Sequence, residues 1–331
     1  MIVTLDRDAD PARVRAELTG LGLWTEVYRS DDGGTHLRVL EHSRAVGTDE
    51  LLRIDGVRSV SAPSPRYPRV DALPDRVEIA GVAVGRGCPP VLMAGPCSVE
   101  DEDRIDRLAA RVAAAGARFL RGGAFKPRTS PHEFQGIGRR ALRWLRDAAD
   151  RHGLAVVTEA LSERTVDEVA EFADLIQIGS RNMHNGALLR AAGATGRPVL
   201  VKRGMAATLD EWLGAAEYCL EAGAPAVIFC ERGIRGFDRE TRNLLDLASV
   251  ALLAHVRGLP VIVDPSHALG RRDLVAPLAR AALAAGAHGL LVEVHDAPDT
   301  ARSDGAQALD PDDLSALLPD PALPAAADRS P

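Results

Sequence analysis

The sequence lacks most features that mark secreted, membrane or nucleic-acid-binding proteins. Only four of its 331 residues are cysteine, too few for a disulfide scaffold, which favours a reduced, cytoplasmic setting. No apolar run approaches the roughly 18 residues of a membrane span, so we expect no membrane association. The opening residues 1–6 have no basic or long apolar segment, and we expect no signal peptide. Acidic residues outnumber basic ones, 47 to 40, giving a net charge of −7, and we expect no nucleic-acid partner.

Aromatic residues and several common catalytic motifs are also scarce. Aromatics make up 4% of the chain, which argues against a stacking platform for bases or sugars. No G-x-G-x-x-G follows the first strand of the longer domain, and the chain has no P-loop, G-x-S-x-G or H-E-x-x-H motif. These absences disfavour dinucleotide folds, Walker-type kinases, common serine hydrolases and zincins.

The N-terminal part of the chain has the pattern of a small separate domain. Residues 1–62 alternate as strand, helix, strand, strand, helix, strand, which predicts an α+β ferredoxin-like domain. The glycines within residues 31–34 predict a hairpin turn. Residues 63–75 contain four prolines and predict a stiff linker, and residues 76–84 alternate with period two, as a small hairpin would. Ferredoxin-like domains often bind regulatory ligands, although the fold alone does not establish that role.

From residue 90 onward, apolar strands alternate regularly with helical stretches. Eight such units predict an α/β fold, a (β/α)8 TIM barrel, as the catalytic domain over residues 76–318. A doubly wound open sheet shares this alternation and is the alternative. The proline-rich residues 319–331 predict a disordered tail. The eight predicted strands are Val91–Cys97, Arg118–Phe125, Ala155–Ala160, Leu175–Ser180, Pro198–Gly204, Ala226–Arg232, Pro260–His267 and Gly289–His295.

Four residues at or near strand ends have side chains that bind metals. Cys97 ends the first strand and His267 the seventh, while Glu293 lies in the eighth and Asp304 follows it. Functional groups collect at the carboxyl ends of barrel strands. A thiolate, an imidazole and two carboxylates suit Mn²⁺, Fe²⁺, Co²⁺ or Zn²⁺. The alternative is that these are ordinary structural residues, because an isolated cysteine usually behaves as a small core hydrophobe.

A second group of strand-end residues is cationic in a protein of negative net charge. Arg121 and Lys202 stand out because each lies in or ends an apolar strand. Guanidinium groups match phosphate and carboxylate geometry, so the pattern predicts a small substrate, or two, with several negative charges. The alternative is that these cations merely solvate the surface. The cationic set comprises Arg121, Lys126, Arg128, Arg181, Lys202, Arg203, Arg232 and Arg235.

Glu159 is an isolated carboxylate among these cations, at the end of the third strand. It could be a structural ion-pair partner or a group that handles protons. The residue pattern leaves both readings open.

Seven motifs in chain order resemble those of 3-deoxy-D-arabino-heptulosonate 7-phosphate (DAHP) synthases, most closely the type I beta group with an N-terminal ferredoxin-like domain. The resemblance is strong over residues 76–314 and rests on pattern alone over residues 1–62. The motifs are Ala94-Gly-Pro-Cys-Ser-Val-Glu100, Arg121-Gly-Gly-Ala-Phe-Lys-Pro-Arg-Thr-Ser130, Gln177-Ile-Gly-Ser-Arg-Asn-Met183, Val201-Lys-Arg-Gly-Met205, Cys230-Glu-Arg-Gly-Ile234, Asp264-Pro-Ser-His267 and Val292-Glu-Val-His295.

The resemblance implies a metal-dependent condensation of phosphoenolpyruvate with erythrose 4-phosphate, which is the first step of the shikimate pathway. It implies the same four metal ligands as above, and a homotetramer with an aromatic amino acid as effector. The implied catalytic residues are Lys126, Glu159, Cys97 and His267. Of the possible proton-transfer groups, the resemblance leaves open Lys126, Glu159 and a metal-bound water. The implied phosphoenolpyruvate site is Arg121, Lys126, Arg181, Lys202 and Arg232 with a backbone amide near Ser180, and the implied aldehyde-phosphate site is Arg128 and Thr129.

Two other functions remain as alternatives. A sister synthase of the octulosonate or amino-sugar type would keep the barrel and the phosphoenolpyruvate site but use another aldose acceptor. The Lys126-Pro-Arg-Thr129 motif favours the four-carbon aldose phosphate as acceptor. The octulosonate enzymes have a motif resembling Lys-Ala-Asn-Arg-Ser at the same position. The second alternative is a catalytically inactive regulatory paralogue. Such a protein would be expected to lose a metal ligand or a cation of the phosphoenolpyruvate site, and all of these residues are present in the sequence.

Overall fold

The computed structural model describes residues 1–30, 33–40, 43, 46–61, 65–126, 130 and 132–318. The chain divides into two compact units, the first ending at Arg66 and the second beginning at Tyr67. Among the described residues, no helix combines the length and the apolar character needed to cross a membrane.

The first unit is a four-stranded antiparallel sheet with two helices, in the order predicted for a ferredoxin-like domain. Numbered along the chain, its strands pair in the order second, third, first, fourth. Its core consists of apolar side chains from the sheet and both helices, including Val3, Val14 and Leu37. Asp31 and Asp32 of the predicted turn lie outside the described residues. The elements are β1 (Ile2–Leu5), α1 (Pro11–Gly20), β2 (Thr25–Arg29), β3 (Thr35–Val39), α2 (Thr48–Leu51) and β4 (Val57–Ser61).

The second unit begins with a short helix and a hairpin, and then forms a closed barrel of eight parallel strands. These eight strands pair in chain order and the last pairs with the first, so the barrel prediction is confirmed and the open sheet is excluded. The elements are α3 (Pro68–Asp71), β5 (Arg76–Ile79), β6 (Val82–Gly85), β7 (Val91–Gly95), α4 (Glu102–Ala114), β8 (Phe119–Arg121), α5 (Arg139–Arg151), β9 (Ala155–Ala160), α6 (Glu163–Phe172), β10 (Leu175–Ile178), α7 (Gly186–Ala194), β11 (Val199–Lys202), α8 (Leu209–Glu221), β12 (Val227–Glu231), α9 (Leu247–Ala251), β13 (Val261–Val263), α10 (Pro265–Leu269), α11 (Val275–Ala284) and β14 (Gly289–Glu293).

Several strands end earlier than the sequence predicts. Strand β7 stops at Gly95 rather than Cys97, and β13 stops at Val263 rather than His267. A proline follows closely in both cases, and proline has no N–H to donate to the ladder. Cys97 therefore lies in the loop after β7, and His267 lies in the helix that follows β13.

Helix α3 lies within residues 63–75, where the sequence predicts a linker. The amides of Arg69 and Val70 donate to the carboxylate of Glu217 on α8 at 2.9–3.1 Å, so this helix packs on the barrel. Pro68 explains the difference between the predicted linker and the observed helix. A proline in the first turn of a helix favours the helical backbone, whereas the number of prolines in this segment indicated a linker.

The two ends of the barrel are built differently. Apolar residues of β5 and β6, such as Val77 and Val84, share one buried cluster with barrel residues such as Phe119 and Ile228. The hairpin therefore closes the end at which the strands begin. The helices cover the outer wall through a second, larger apolar cluster. Polar side chains collect at the opposite end, where the strands finish.

Candidate active site

The four predicted metal ligands converge at the carboxyl end of the barrel. One donor atom from each of Cys97, His267, Glu293 and Asp304 lies within 4.8 Å of the others. Cys97 and Glu293 are buried, and the other two are half-buried. Residues 207 positions apart thus share one site, because the closed barrel brings the loops after β7 and β14 together.

Helix α10 orients His267. Asp264 caps this helix, and its Oδ1 accepts the backbone amide of His267 at 2.9 Å. Its Oδ2 lies 2.7 Å from Nδ1 of the same residue. A carboxylate can only accept, so Nδ1 carries the proton and Nε2 remains a potential ligand atom. That Nε2 lies 3.2 Å from Oε1 of Glu293.

The Glu293 carboxylate is buried among donors. Arg121 Nη1 donates to its Oε1 at 2.7 Å, and the side-chain amide of Gln307 donates to its Oε2 at 2.5 Å. Burial by itself would raise the pKa of Glu293, but His267, Arg121 and Lys126 hold that pKa far below its usual range. The side chain is therefore a carboxylate at neutral pH.

Cys97 has the opposite electrostatic environment. Burial, reinforced by Glu293, raises the pKa of its thiol to about 12, although the Lys126 ammonium opposes the shift. Lys126 Nζ lies 2.8 Å from the Cys97 sulfur and 3.0 Å from its carbonyl oxygen. A bound divalent cation would deprotonate such a thiol. The donor set therefore fits a cation that accepts sulfur, nitrogen and oxygen.

Asp304 lies in a loop that other residues hold in place. Its backbone is left-handed, with φ of +52°, and the Cys97 thiol donates to its Oδ2 at 3.0 Å. The preceding residues are fixed to the loop after β7: Ser303 Oγ lies 2.7 Å from Ser98 Oγ, and the amide of Arg302 donates to Glu100 at 2.7 Å. These bonds set the position of the fourth candidate ligand.

A cavity of about 330 Å³ lies beside these four residues. It is lined by every described residue of the substrate set that the sequence predicts. Arg128 and Thr129, the predicted aldehyde-phosphate residues, lie outside the described residues. The lining residues are Arg121, Lys126, Glu133, Glu159, Gln177, Gly179, Ser180, Arg181, Lys202, Met205, Arg232, Arg242, His267 and Asp304.

The buried cations differ in how far the protein already neutralises them. Arg121 pairs with Glu293, and Lys202 Nζ lies 2.5 Å from Asp264. Arg232 is also buried, but its Nη1 has no hydrogen-bond partner among the described residues. Burial lowers the pKa of the Arg232 guanidinium. A buried donor without a partner is costly, and an anionic ligand would satisfy it.

Two members of the predicted cationic set lie away from the cavity. Arg203 Nη1 contacts Glu231 at 3.1 Å and Asp246 at 2.8 Å, and its guanidinium lies over the Trp212 ring. The expectation that Arg203 serves the rim with Lys202 is therefore wrong. Successive residues of a strand point to opposite faces, so Lys202 faces the interior and Arg203 the helices. Arg235 is exposed and is not part of the cavity wall.

Glu159 lines the cavity without an ion pair to any described residue. The side-chain amide of Gln177 donates to its Oε2 at 3.2 Å. Its carboxylate lies close to Gly179, where an added Cβ would be only 2.0 Å from Oε1. This geometry removes support for the ion-pair reading and leaves a carboxylate that faces the cavity.

Several residues with clear contacts in the site were not assigned roles from the sequence. Asp264 and Gln307 orient the candidate ligands, and Arg242 lines the cavity. Asp264 lies in a motif with an identified ligand, so its position three residues before His267 was an available signal. Arg242 lies in a long loop and Gln307 in a short 3₁₀ helix, and no local pattern distinguishes either of them from surface residues.

Comparison with known proteins identifies relatives over most of the chain. The model of the DAHP synthetase I family matches residues 68–319. Phospho-2-dehydro-3-deoxyheptonate aldolase of Thermotoga maritima is 46% identical over 280 residues, covering 83% of this chain and 82% of that protein. The 2-dehydro-3-deoxyphosphooctonate aldolase of Brucella ovis is 32% identical over 260 residues, covering 73% and 93%.

Solved structures resemble the chain as well. The crystal structure of the Thermotoga maritima DAHP synthase has a TM-score of 0.74 at 42% identity, covering 96% of this chain and 94% of that one. A truncated form of the Thermotoga maritima enzyme has a TM-score of 0.68 at 46% identity, covering 74% and 89%.

Proposed function

The chain belongs to the DAHP synthetase I family and is an enzyme of the DAHP synthase class, and on that premise we propose that it condenses phosphoenolpyruvate with erythrose 4-phosphate. The products are 3-deoxy-D-arabino-heptulosonate 7-phosphate and phosphate. The observation that carries the proposal is a four-donor metal set beside a cavity lined with cations.

The proposed reaction balances with one molecule of water. A bond forms between C3 of phosphoenolpyruvate and the aldehyde carbon, whose oxygen takes up a proton and becomes a hydroxyl. Water adds at C2, the bond from C2 to the phosphate oxygen breaks, and phosphate leaves. The site must therefore hold two anionic substrates, supply one proton and direct one water molecule.

The buried cations support the proposed binding of the enol phosphate. Arg121, Lys202 and Arg232 lie along the cavity wall with Arg181, next to the half-buried Ser180. Guanidinium forks bind carboxylate and phosphate through paired hydrogen bonds. We assign these residues and Lys126 to phosphoenolpyruvate, and Arg128 and Thr129 to the phosphate of the acceptor.

Lys126 and Glu159 take different parts in proton handling under this proposal. Lys126 is buried, carries three donor hydrogens and borders the cavity, and these features support assigning to it the transfer of a proton to the acceptor oxygen. Glu159 presents a carboxylate that can accept from the water that attacks C2. Each side chain is fixed by a neighbour, Lys126 by Cys97 and Glu159 by Gln177.

Cys97, His267, Glu293 and Asp304 would hold the divalent ion, one of Mn²⁺, Fe²⁺, Co²⁺ or Zn²⁺. When bound, such an ion supplies Lewis acidity toward the acceptor carbonyl. Asp264 contributes by keeping the His267 ring in one tautomer.

The octulosonate-type reaction is the second candidate, because a protein named 2-dehydro-3-deoxyphosphooctonate aldolase is 32% identical to this chain. The two candidates differ only in the acceptor. The Lys126-Pro-Arg-Thr129 motif and the higher identity to the heptonate aldolase support the four-carbon aldehyde.

A coupled set of assays tests the proposal. Metal-stripped protein, with and without Mn²⁺, is mixed with phosphoenolpyruvate and either erythrose 4-phosphate, arabinose 5-phosphate or no acceptor, and loss of enol absorbance is followed. We expect metal-dependent loss with erythrose 4-phosphate alone. Loss only with arabinose 5-phosphate would reassign the acceptor. No turnover by folded, metal-loaded protein would support the inactive paralogue.

We also propose the domain roles that the sequence predicts. The N-terminal domain, residues 1–62, would bind an aromatic amino acid effector in a cytoplasmic homotetramer, with residues 63–75 as a connection and 76–318 as the catalytic domain. Light scattering tests the tetramer, and a monomer at all concentrations would contradict it. Inhibition assays with phenylalanine, tyrosine and tryptophan test the effector.

A further inference from the structure

Arg242 is a cation of the cavity wall that the proposed function leaves without a role. It lies on the loop between β12 and α9, with its side chain 44% exposed. The nearest described carboxylate is Asp304, whose Oδ1 lies 3.7 Å from Arg242 Nη1, beyond hydrogen-bond distance. Among the described residues, the guanidinium donates no hydrogen bond.

The backbone around Arg242 is fixed in place. Its amide donates to the carbonyl of Leu269 at 3.0 Å, and the amide of Asn243 donates to Ala268 at 2.9 Å. Ile234 and Leu244 pair as an antiparallel bridge at the base of the same loop. The loop is thereby fastened to the end of α10, the helix that bears His267.

The guanidinium packs against Gly270, which caps the C-terminus of α10. A Cβ on that glycine would lie 3.0 Å from Arg242 Nε and 3.3 Å from Cζ, and its backbone is left-handed with φ of +67°. Glycine therefore satisfies both the backbone conformation and the close approach. The packing leaves the forked end of Arg242 at the mouth of the cavity.

A second cation lies within electrostatic reach. Arg242 is one of the groups that lower the pKa of the buried Arg232 guanidinium, after burial itself. Arg232 Nη1 has no hydrogen-bond partner among the described residues. Two arginines with unused donors, facing one cavity, are the arrangement that binds a phosphate group through several charge-assisted hydrogen bonds.

We propose that Arg242 is a substrate-binding residue that, together with Arg232, holds the phosphate group of a phosphate monoester at the mouth of the cavity. The inference rests on the proposed function, which supplies two such substrates. It assigns to this chain one binding residue beyond the set derived from the motifs.

The test compares Arg242→Gln with Arg239→Gln, which removes an exposed arginine of the same loop that is not part of the cavity wall. Calorimetry on Mn²⁺-loaded protein measures binding of inorganic phosphate and of phosphoenolpyruvate without turnover. Steady-state kinetics then give KM separately for phosphoenolpyruvate and for erythrose 4-phosphate, and a titration gives the Mn²⁺ affinity.

We expect Arg242→Gln to weaken binding of at least one phosphate compound by about tenfold to a hundredfold, the value of charge-assisted hydrogen bonds. Arg242→Lys should bind phosphate compounds more tightly than Arg242→Gln does. Arg239→Gln should bind them as the wild type does, and the Mn²⁺ affinity of Arg242→Gln should equal that of the wild type. A higher KM for phosphoenolpyruvate identifies the enol phosphate as the ligand, and a higher KM for erythrose 4-phosphate identifies the acceptor.

Two outcomes would overturn the assignment. In one, neither phosphate binding nor either KM changes in Arg242→Gln. In the other, only the Mn²⁺ affinity changes, so that Arg242 merely positions Asp304. Failure of the proposed function appears differently, as wild-type protein that binds phosphate but does not consume phosphoenolpyruvate with any acceptor.

Discussion

The two ends of the barrel are made from the same eight strands but have opposite chemistry. At the end where the strands begin, the hairpin β5–β6 packs apolar side chains against residues such as Phe119 and Ile228. At the other end, buried charges pair with one another around Glu293 and Asp264. The comparison shows that one end stabilises the fold by burying apolar surface. The other end holds buried charges, whose desolvation is unfavourable, in a fixed geometry.

The largest expected effect that sharpens this contrast is at the polar end. Cys97→Ala removes a candidate ligand, and since losing a group that only orients a ligand costs about 10- to 100-fold, loss of the ligand itself should exceed that. We expect no bound metal by elemental analysis and no measurable turnover. Cys219→Ala, a buried cysteine of α8, is the matched control and should keep its metal. Metal retained at full stoichiometry in Cys97→Ala would remove this residue from the site.

At the apolar end, Phe119→Ala should cost stability and leave chemistry intact. Its ring is fully buried in the cluster shared with the hairpin, and such truncations cost about 3–5 kcal/mol. Denaturant unfolding measures the loss, and kcat of the folded fraction should stay close to that of the wild type. A large fall in kcat without a loss of stability would break the division between the two ends.

Gly179→Ala tests the placement of Glu159 with a single methyl group. The added Cβ would lie 2.0 Å from Glu159 Oε1, so the carboxylate must move. Positioned acids and bases contribute about 10²- to 10⁴-fold, and partial displacement should lower kcat by about tenfold with metal content unchanged. Gly214→Ala on α8 meets only an ordinary contact at 3.6 Å and serves as the control. An unchanged kcat in Gly179→Ala would count against a proton-handling role for Glu159.

The smallest expected effect concerns pH at the closed end. Burial lowers the pKa of His288, whose Nδ1 accepts the amide of Val261 at 3.1 Å. The unfolded chain therefore takes up a proton at a pH where the folded protein does not. Stability from this residue is complete above the ordinary histidine pKa of about 6.5 and is lost as pH falls below it. His288→Asn keeps an acceptor and should flatten the fall in unfolding free energy between neutral and mildly acidic pH; an equal slope in both proteins would contradict this.

The sequence predicted the parts of the molecule that repeat or that carry a rare residue type. The barrel followed from the alternation of strands and helices, and Cys97 and His267 were visible because each closely follows an apolar run of the sequence. The position of Arg203 was predicted wrongly. Where a strand is followed by two adjacent cations, the sequence does not show which of the two side chains faces the barrel interior. Arg242 was missed because its position depends on main-chain pairing with Leu269, far along the chain. Helix α3 was missed because proline also starts helices.

The closure of one end of the barrel by the hairpin β5–β6 has a consequence for the kinetics of substrate binding. Because β5 and β6 pack into the end where the strands begin, molecules reach the described cavity from the opposite end, and products leave by that same route. Under the proposed function, the ligand of the buried cations Arg121 and Lys202 has to enter before a second substrate occupies the same opening. Substrate binding should then follow a compulsory order, which patterns of product inhibition would reveal.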